Sequence, residues 1–191
     1  DSLYIDGVYS GIYALMEKTN EQLYASIAGV SRDSVTVIES QVWTNTELYD
    51  SVFRFCLTND MSQDENYQHF LSLMDVDSLI DWILIEGYCA NADLSYGNLR
   101  YCRSTENDGK WRLMFYDLDS TFLDQSQNYY NLLSPYSIEN RQVSSLIGRL
   151  LKNEDFVHAL LTRAGELLNG PLTNENTVAE IRRLAEQIEP E

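Results

Sequence analysis

Four oxygen-bearing side chains fall in two short stretches of this chain: Asp93 and Asn98 in Asn91-Ala92-Asp93-Leu94-Ser95-Tyr96-Gly97-Asn98, and Asp117 and Asp119 in Tyr116-Asp117-Leu118-Asp119. Carboxylates joined by a carboxamide, without His or Cys at ligand spacing, form a hard-oxygen set suited to Mg²⁺ or Mn²⁺ rather than to zinc. A magnesium-type site in turn implies a phosphate-bearing ligand. Phosphoryl transfer needs little covalent help from a protein: a carboxylate to orient an attacking hydroxyl and accept its proton, and an amide with further carboxylates to hold the metal.

The interval Asp-x-x-x-x-Asn from Asp93 to Asn98 is that of a protein-kinase catalytic loop. Such coincidences are common in an acidic chain, so the elements around the interval matter more than the interval. A helix is predicted over Ser78 to Ala90 with Asp77 as its N-cap. Leu79, Ile80, Trp82, Ile83, Leu84, Ile85 and Tyr88 make it apolar almost all round, and Asp81 and Glu86 are its only charges. It is the expected buried centre of the domain, and a loop leaving so rigid an element is where catalytic groups tend to sit. Asn98 to Arg103 and Trp111 to Tyr116 alternate as strands around the turn residues Glu106-Asn107-Asp108-Gly109. Paired antiparallel, they bring Asn98 beside Tyr116 and Asp117, so that Asp93, Asn98, Asp117 and Asp119 converge. Two positions apart on extended backbone, Asp117 and Asp119 would face one way.

Elsewhere, Leu3-Tyr4-Ile5 and Val8 to Leu15 read as a hairpin about Asp6-Gly7. Helices are predicted at Asn20 to Ala25, Thr46 to Leu57, Tyr67 to Leu73, Val143 to Leu151, Glu154 to Leu168 and Glu175 to Ile188, the last two capped by Asn153 and Asn174. Val35 to Ile38 reads as a strand. The layout is α+β, two hairpins among a mainly helical remainder.

Plainer roles compete at several positions. Asp117 and Asp119 also suit a capping role or a structural calcium, and Asn91 suits an αL cap at the end of the buried helix. Trp111 and Phe122 read as core aromatics, and Cys56, Cys89 and Cys102 as buried free thiols. Arg100 and Arg103 either pair with the site or face water. His69 and His158 have no nucleophile beside them, which leaves a hydrolase triad without support. The tyrosine-rich segment Gln125 to Tyr136 reads as an activation-loop analogue, a sugar-binding surface or, preferably, an aromatic loop packed on the fold.

The 191 residues carry 13 Lys and Arg against 30 Asp and Glu, a formal charge of −17. That charge argues against nucleic acid and anionic membrane as partners, and a polyanionic ligand would need a metal ion as mediator. No run nears the ~20 consecutive apolar residues of a membrane-spanning helix.

The order helix, Asn91-x-Asp93-x-x-x-x-Asn98, strand, turn, Trp111-bearing strand and Tyr116-Asp117-Leu118-Asp119-Ser120-Thr121-Phe122 resembles the CotH family, the spore coat protein H-like atypical protein kinases. The opening Ile5-Asp6-Gly7-Val8-Tyr9-Ser10-Gly11-Ile12-Tyr13-Ala14-Leu15-Met16-Glu17 is similar to the family's Asn-Gly-x-Tyr-x-Gly-x-Tyr-x-x-x-Glu signature, with Asp6 in place of Asn. The resemblance covers about Leu3 to Phe122. It implies an atypical protein-kinase-like fold: a mainly helical large lobe over residues 19–191, and over residues 1–18 the end of a small-lobe hairpin and the hinge, the small lobe being otherwise largely missing. It implies Asp93 as catalytic base and Asn98, Asp117 and Asp119 as metal ligands, one of Asp117 and Asp119 standing for the Asp of Asp-Phe-Gly, with Asp117 preferred because it directly follows the apolar strand. Met16, Glu17 and Lys18 would lie near the adenine of ATP, and Asn91 would support the loop. No G-x-G-x-x-G loop is present, and only Lys18, Lys110 and Lys152 are available as a phosphate-binding lysine. The family's glycine and lysine elements are therefore expected upstream of Asp1.

The expected function is ATP- and Mg²⁺- or Mn²⁺-dependent phosphoryl transfer to protein hydroxyls, in a chain that would be inactive if left without those elements. The alternative is a non-catalytic surface or scaffold module that keeps the fold and a structural cation. The resemblance further implies a bacterial, spore-coat or exported setting and a coat or secreted protein as substrate; the oligomeric state stays open.

Overall fold

The computed structural model describes residues 2–13, 16–39, 46–91, 93, 98–123 and 141–188. The chain divides into two compact units, Thr19–Leu161 and a smaller one made of Asp1–Lys18 with Thr162–Glu191. Helices with small antiparallel sheets make the architecture α+β.

In the smaller unit β1 (Ser2–Ile5) and β2 (Val8–Ile12) pair antiparallel, with Ile5 opposite Val8 across Asp6-Gly7. Asp6 at φ 50° and Gly7 at φ 78° are both left-handed, which matches the twist of a two-residue hairpin loop.

In the larger unit Asn20 caps α1 (Glu21–Ala28), its Oδ1 accepting from the N–H groups of Gln22 and Leu23. β3 (Val35–Glu39) follows, then a helical run, α2, in three parts: Thr46–Leu48, a π-helical stretch Tyr49–Arg54, and Phe55–Thr58. α3 (Asp64–Leu73) begins earlier than its apolar pattern suggests, because acidic Asp64 and Glu65 occupy a first turn where negative charge is favoured.

α4 (Val76–Tyr88) is the buried central helix, with Leu79, Ile80, Trp82 and Ile83 in the main core beside Phe70, Trp111 and Phe156. Its cap is Asp75, not Asp77. Asp75 has extended backbone and its Oδ1 accepts from the Ser78 N–H at 3.0 Å, whereas Asp77 already lies inside the first turn. The other carboxylate oxygen of Asp75 pairs with Arg112 at 2.9 Å, and Arg112 also reaches Asp108 at 2.6 Å. The helix start is thereby bolted to the strand that carries Arg112.

β4 (Arg100–Ser104) and β5 (Arg112–Met114) form that hairpin, but the sheet has a third strand: the order is β3-β4-β5, all antiparallel. The second hairpin is present as expected, and the sequence left open only the partner of the Val35 to Ile38 strand, since pairing between Val35–Glu39 and a strand some 65 residues later follows from no local pattern. Both site-facing ends are shorter than predicted. β4 starts at Arg100 rather than Asn98 and β5 stops at Met114 rather than Tyr116, which frees 98–99 and 115–119 from the ladder.

α5 (Arg141–Leu150) and α6 (Glu154–Leu168) follow. Asn153 caps α6 through Asp155 and Phe156, and its amide also donates to the Met61 carbonyl at 3.0 Å. α7 (Asn174–Ile188) is capped by Thr173, whose Oγ1 accepts from the Asn176 N–H; Asn174 is the first helical residue instead of the cap. Among the described residues no helix is long and apolar enough to cross a membrane.

Candidate functional site

The site is built on the way α4 ends. Ala90 turns left-handed at φ 49°, its N–H donating to the Gly87 carbonyl while the Asn91 N–H donates to that of Glu86. This reciprocal pair of bonds is a Schellman cap, and it stops the helix with Ala where glycine is usual. The αL residue is thus Ala90, and Asn91, read from sequence as that cap, is the next residue along.

Asn91 is wholly buried, and its carboxamide makes bonds in three directions. Oδ1 accepts from the Asp93 N–H at 3.0 Å; Nδ2 donates to Glu86 Oε2 at 2.9 Å and, at 3.4 Å, to the backbone carbonyl of Asp117. One amide thereby joins the helix end, the loop that carries Asp93 and the segment after β5. Beyond the loop, Asn98 donates from Nδ2 to the Asp93 carbonyl at 3.0 Å. The residues between them other than Asp93 lie outside the described ones, as do Gln125 to Tyr136.

The stretch from Asp117 to Phe122 is an arch pinned at both feet to the end of α4. Asp117, at φ 56°, gives its carbonyl to Asn91, and Phe122, also at φ 56°, donates its N–H to the Cys89 carbonyl at 2.8 Å. Thr121 closes the turn by bonding the Leu118 carbonyl. With a left-handed residue at Asp117 the backbone is not extended, so the argument that Asp117 and Asp119 face one way by strand alternation does not hold. Phe122 is 58% exposed and touches Tyr88 edge-on, 6.1 Å between ring centres; it is a surface aromatic, in contrast to Trp111, which is core. Before the arch, the Arg100 guanidinium stacks on the Tyr116 ring at 3.8 Å. Arg103 lies over Trp111 and pairs with Glu47, away from the arch.

Asp93, Asp117 and Asp119 are exposed, and Asn98 is half-buried. Among the described residues no three His, Cys, Asp or Glu side chains approach closely enough to hold a metal ion. Asp93 and Asp117 are joined through backbone atoms on a shared amide, and the carboxylates themselves do not form a ready-made cluster. Met16, Glu17 and Lys18 are exposed residues of the smaller unit. Burial pushes the thiols of Cys56 and Cys102 up to about 12, which keeps them protonated and inert.

Glu86 is the residue that sequence reasoning passed over. It is 1% exposed, and burial pushes its carboxyl up to about 6, with the Asn91 hydrogen bond pulling the other way. Its signal was present in the sequence as one of the few charges on a largely apolar helix, five positions before Asn91.

Residues 39–191 match the family description CotH kinase protein. The chain belongs to the CotH kinase family. The matched region includes Glu86, Asn91, Asp93, Asn98, Asp117 and Asp119, and it takes in the C-terminal helices, where the sequence motifs alone offered no resemblance. It leaves out Ile5 to Glu17. Comparison with curated proteins and with solved structures found no match.

Proposed function

We propose that this CotH chain is the greater part of the large lobe of an ATP-dependent protein kinase, which moves the γ-phosphoryl group to a Ser, Thr or Tyr hydroxyl of a protein. The observation that carries this reading is the Asn91 carboxamide, which holds the backbones of Asp93 and Asp117 together at the end of a buried helix. A left-handed Asp117 supports it further. That backbone costs roughly 1 kcal/mol for a residue with a side chain, and such strain is retained where a group must be aimed.

The donor set fits a hard divalent cation. Asp117 and Asp119 are exposed carboxylates with no ion pair among the described residues, and Asn98, having given Nδ2 to the Asp93 carbonyl, keeps Oδ1 as an oxygen donor. Asn98, Asp117 and Asp119 would hold Mg²⁺ or Mn²⁺, which supplies neutralisation of charge on the β- and γ-phosphoryl oxygens. Asp93 orients the acceptor hydroxyl and takes its proton as the oxygen bonds to the γ-phosphorus; the bond to the bridging oxygen breaks and ADP leaves. The family name favours a spore-coat or exported bacterial setting with a coat or secreted protein as acceptor.

The test is Mn²⁺- and ATP-dependent phosphate incorporation by the longest natural form of the protein. Asp93→Asn is expected to cut kcat by at least ~100-fold while sparing nucleotide binding, and Asp117→Asn to weaken metal-nucleotide binding itself. Unchanged turnover in both variants overturns the assignment. No incorporation by folded wild type favours a non-catalytic scaffold module instead.

A further inference from the structure

We propose that Glu86 is a positioning residue of this site: it sets the orientation of the Asn91 carboxamide and, through it, the placement of Asp93 and Asp117. The catalytic consequence rests on the kinase reading above; the structural one rests on geometry alone.

A carboxamide has two orientations of nearly the same shape, with opposite hydrogen-bonding sense. The site uses one of them, Oδ1 toward the Asp93 N–H and Nδ2 toward the Asp117 carbonyl. The flipped amide would set donor against donor at Asp93 and acceptor against acceptor at Asp117. Both of those partners belong to irregular backbone that could shift to suit the flip. Glu86 cannot, because it sits on α4 at 1% exposure and its backbone carbonyl already accepts from the Asn91 N–H at 3.1 Å. An ionised carboxylate only accepts, so Glu86 Oε2 admits Nδ2 and rejects Oδ1.

Burying that carboxyl group is costly, and among the described residues no cation pairs with it, so packing alone would favour Leu or Met at this position. Asn91 is the partner that gives the carboxylate a purpose. Glu86 thereby acts on Asp93 and Asp117, with neither of which it shares a hydrogen bond among the described residues.

The experiment compares wild type, Glu86→Met and Glu86→Gln in the longest natural form. It reads kcat and KM for ATP, the melting temperature, and amide hydrogen exchange at Asn91 and Asp93 and over residues 115–121. Glu86→Met fills the space without an acceptor and is expected to lower kcat about tenfold, more than it changes KM, and to speed exchange in both segments about tenfold, the worth of one lost hydrogen bond. Glu86→Gln offers Oε1 to Asn91 in one of its two amide orientations but no longer excludes the flipped partner, and is expected to fall between wild type and Glu86→Met in rate and protection. Wild-type exchange and kcat in folded Glu86→Met, or a Gln variant as damaged as the Met variant, overturns the proposal. If Glu86→Met does not fold, Glu86→Asp carries the same expectation, since it keeps the carboxyl group but withdraws it by a methylene. If wild type incorporates no phosphate, the kinase reading falls, and the exchange data alone decide whether Glu86 positions the loop.

Discussion

A carboxyl group that ionises at 4.5 when exposed and at about 6 in the folded chain holds its proton more tightly inside the fold than outside it, and Glu86 is such a group. The folded state therefore binds more protons between those values, and Glu86 makes the fold less stable as pH rises from about 4.5 through about 6. The loss amounts to roughly 2 kcal/mol. Glu86→Gln, neutral throughout, should accordingly gain on wild type in melting temperature between pH 4.5 and pH 7. A gap that does not change with pH would show that the Glu86 carboxyl is not held as described. At this scale the sequence offered the residue types and their intervals. Asn91 was legible as a supporting residue, but the direction in which its amide points was not, because that depends on Glu86, Asp93 and Asp117 together.

At the scale of elements, the two ends of α4 decide what the site can do. Asp75 at its start serves as N-cap and as partner to Arg112, both side chains being mostly shielded from solvent. Asp75→Ala should cost about 1–3 kcal/mol, from the lost cap and the ion pair left incomplete, while Asp77→Ala should stay within about 0.5 kcal/mol. Urea denaturation of the two variants side by side measures the difference, and equal losses would contradict the assignment of Asp75 as cap. Both aspartates precede the same apolar run, so spacing could not choose between them. The choice was made by Trp111, whose backbone exchanges bonds with Leu73 and Asp75 and so holds Asp75 extended, outside the helix.

At the scale of the whole molecule, a charge of −17 sets the terms on which any phosphate ligand binds. Repulsion between an acidic protein and ATP is overcome only where a cation stands between them. Nucleotide binding by the longest natural form, followed by fluorescence or calorimetry, should therefore vanish in EDTA and return with Mn²⁺. Binding that survives chelation would contradict metal mediation. Family membership over residues 39–191 belongs to this scale too, since the matched region extends over the helices after residue 141, which carry no short motif.

What the sequence by itself determined was whatever short-range physics governs. The Asp6-Gly7 hairpin, the cap Asn153, the span of α6 and the burial of α4 all follow from turn chemistry, side-chain-to-backbone bonds within a few residues, and apolar periodicity. The motif residues Asp93, Asn98, Asp117 and Asp119 were likewise visible as types at intervals. Tertiary structure alone decided that β3 joins β4, that Phe122 lies on the surface, and that Asp117 turns left-handed instead of extending its strand. It also decided that one buried amide gathers Glu86, Asp93 and Asp117. Each of these outcomes is set by partners far apart along the chain, and a backbone conformation that is unfavourable on its own persists only when such partners satisfy the groups it exposes.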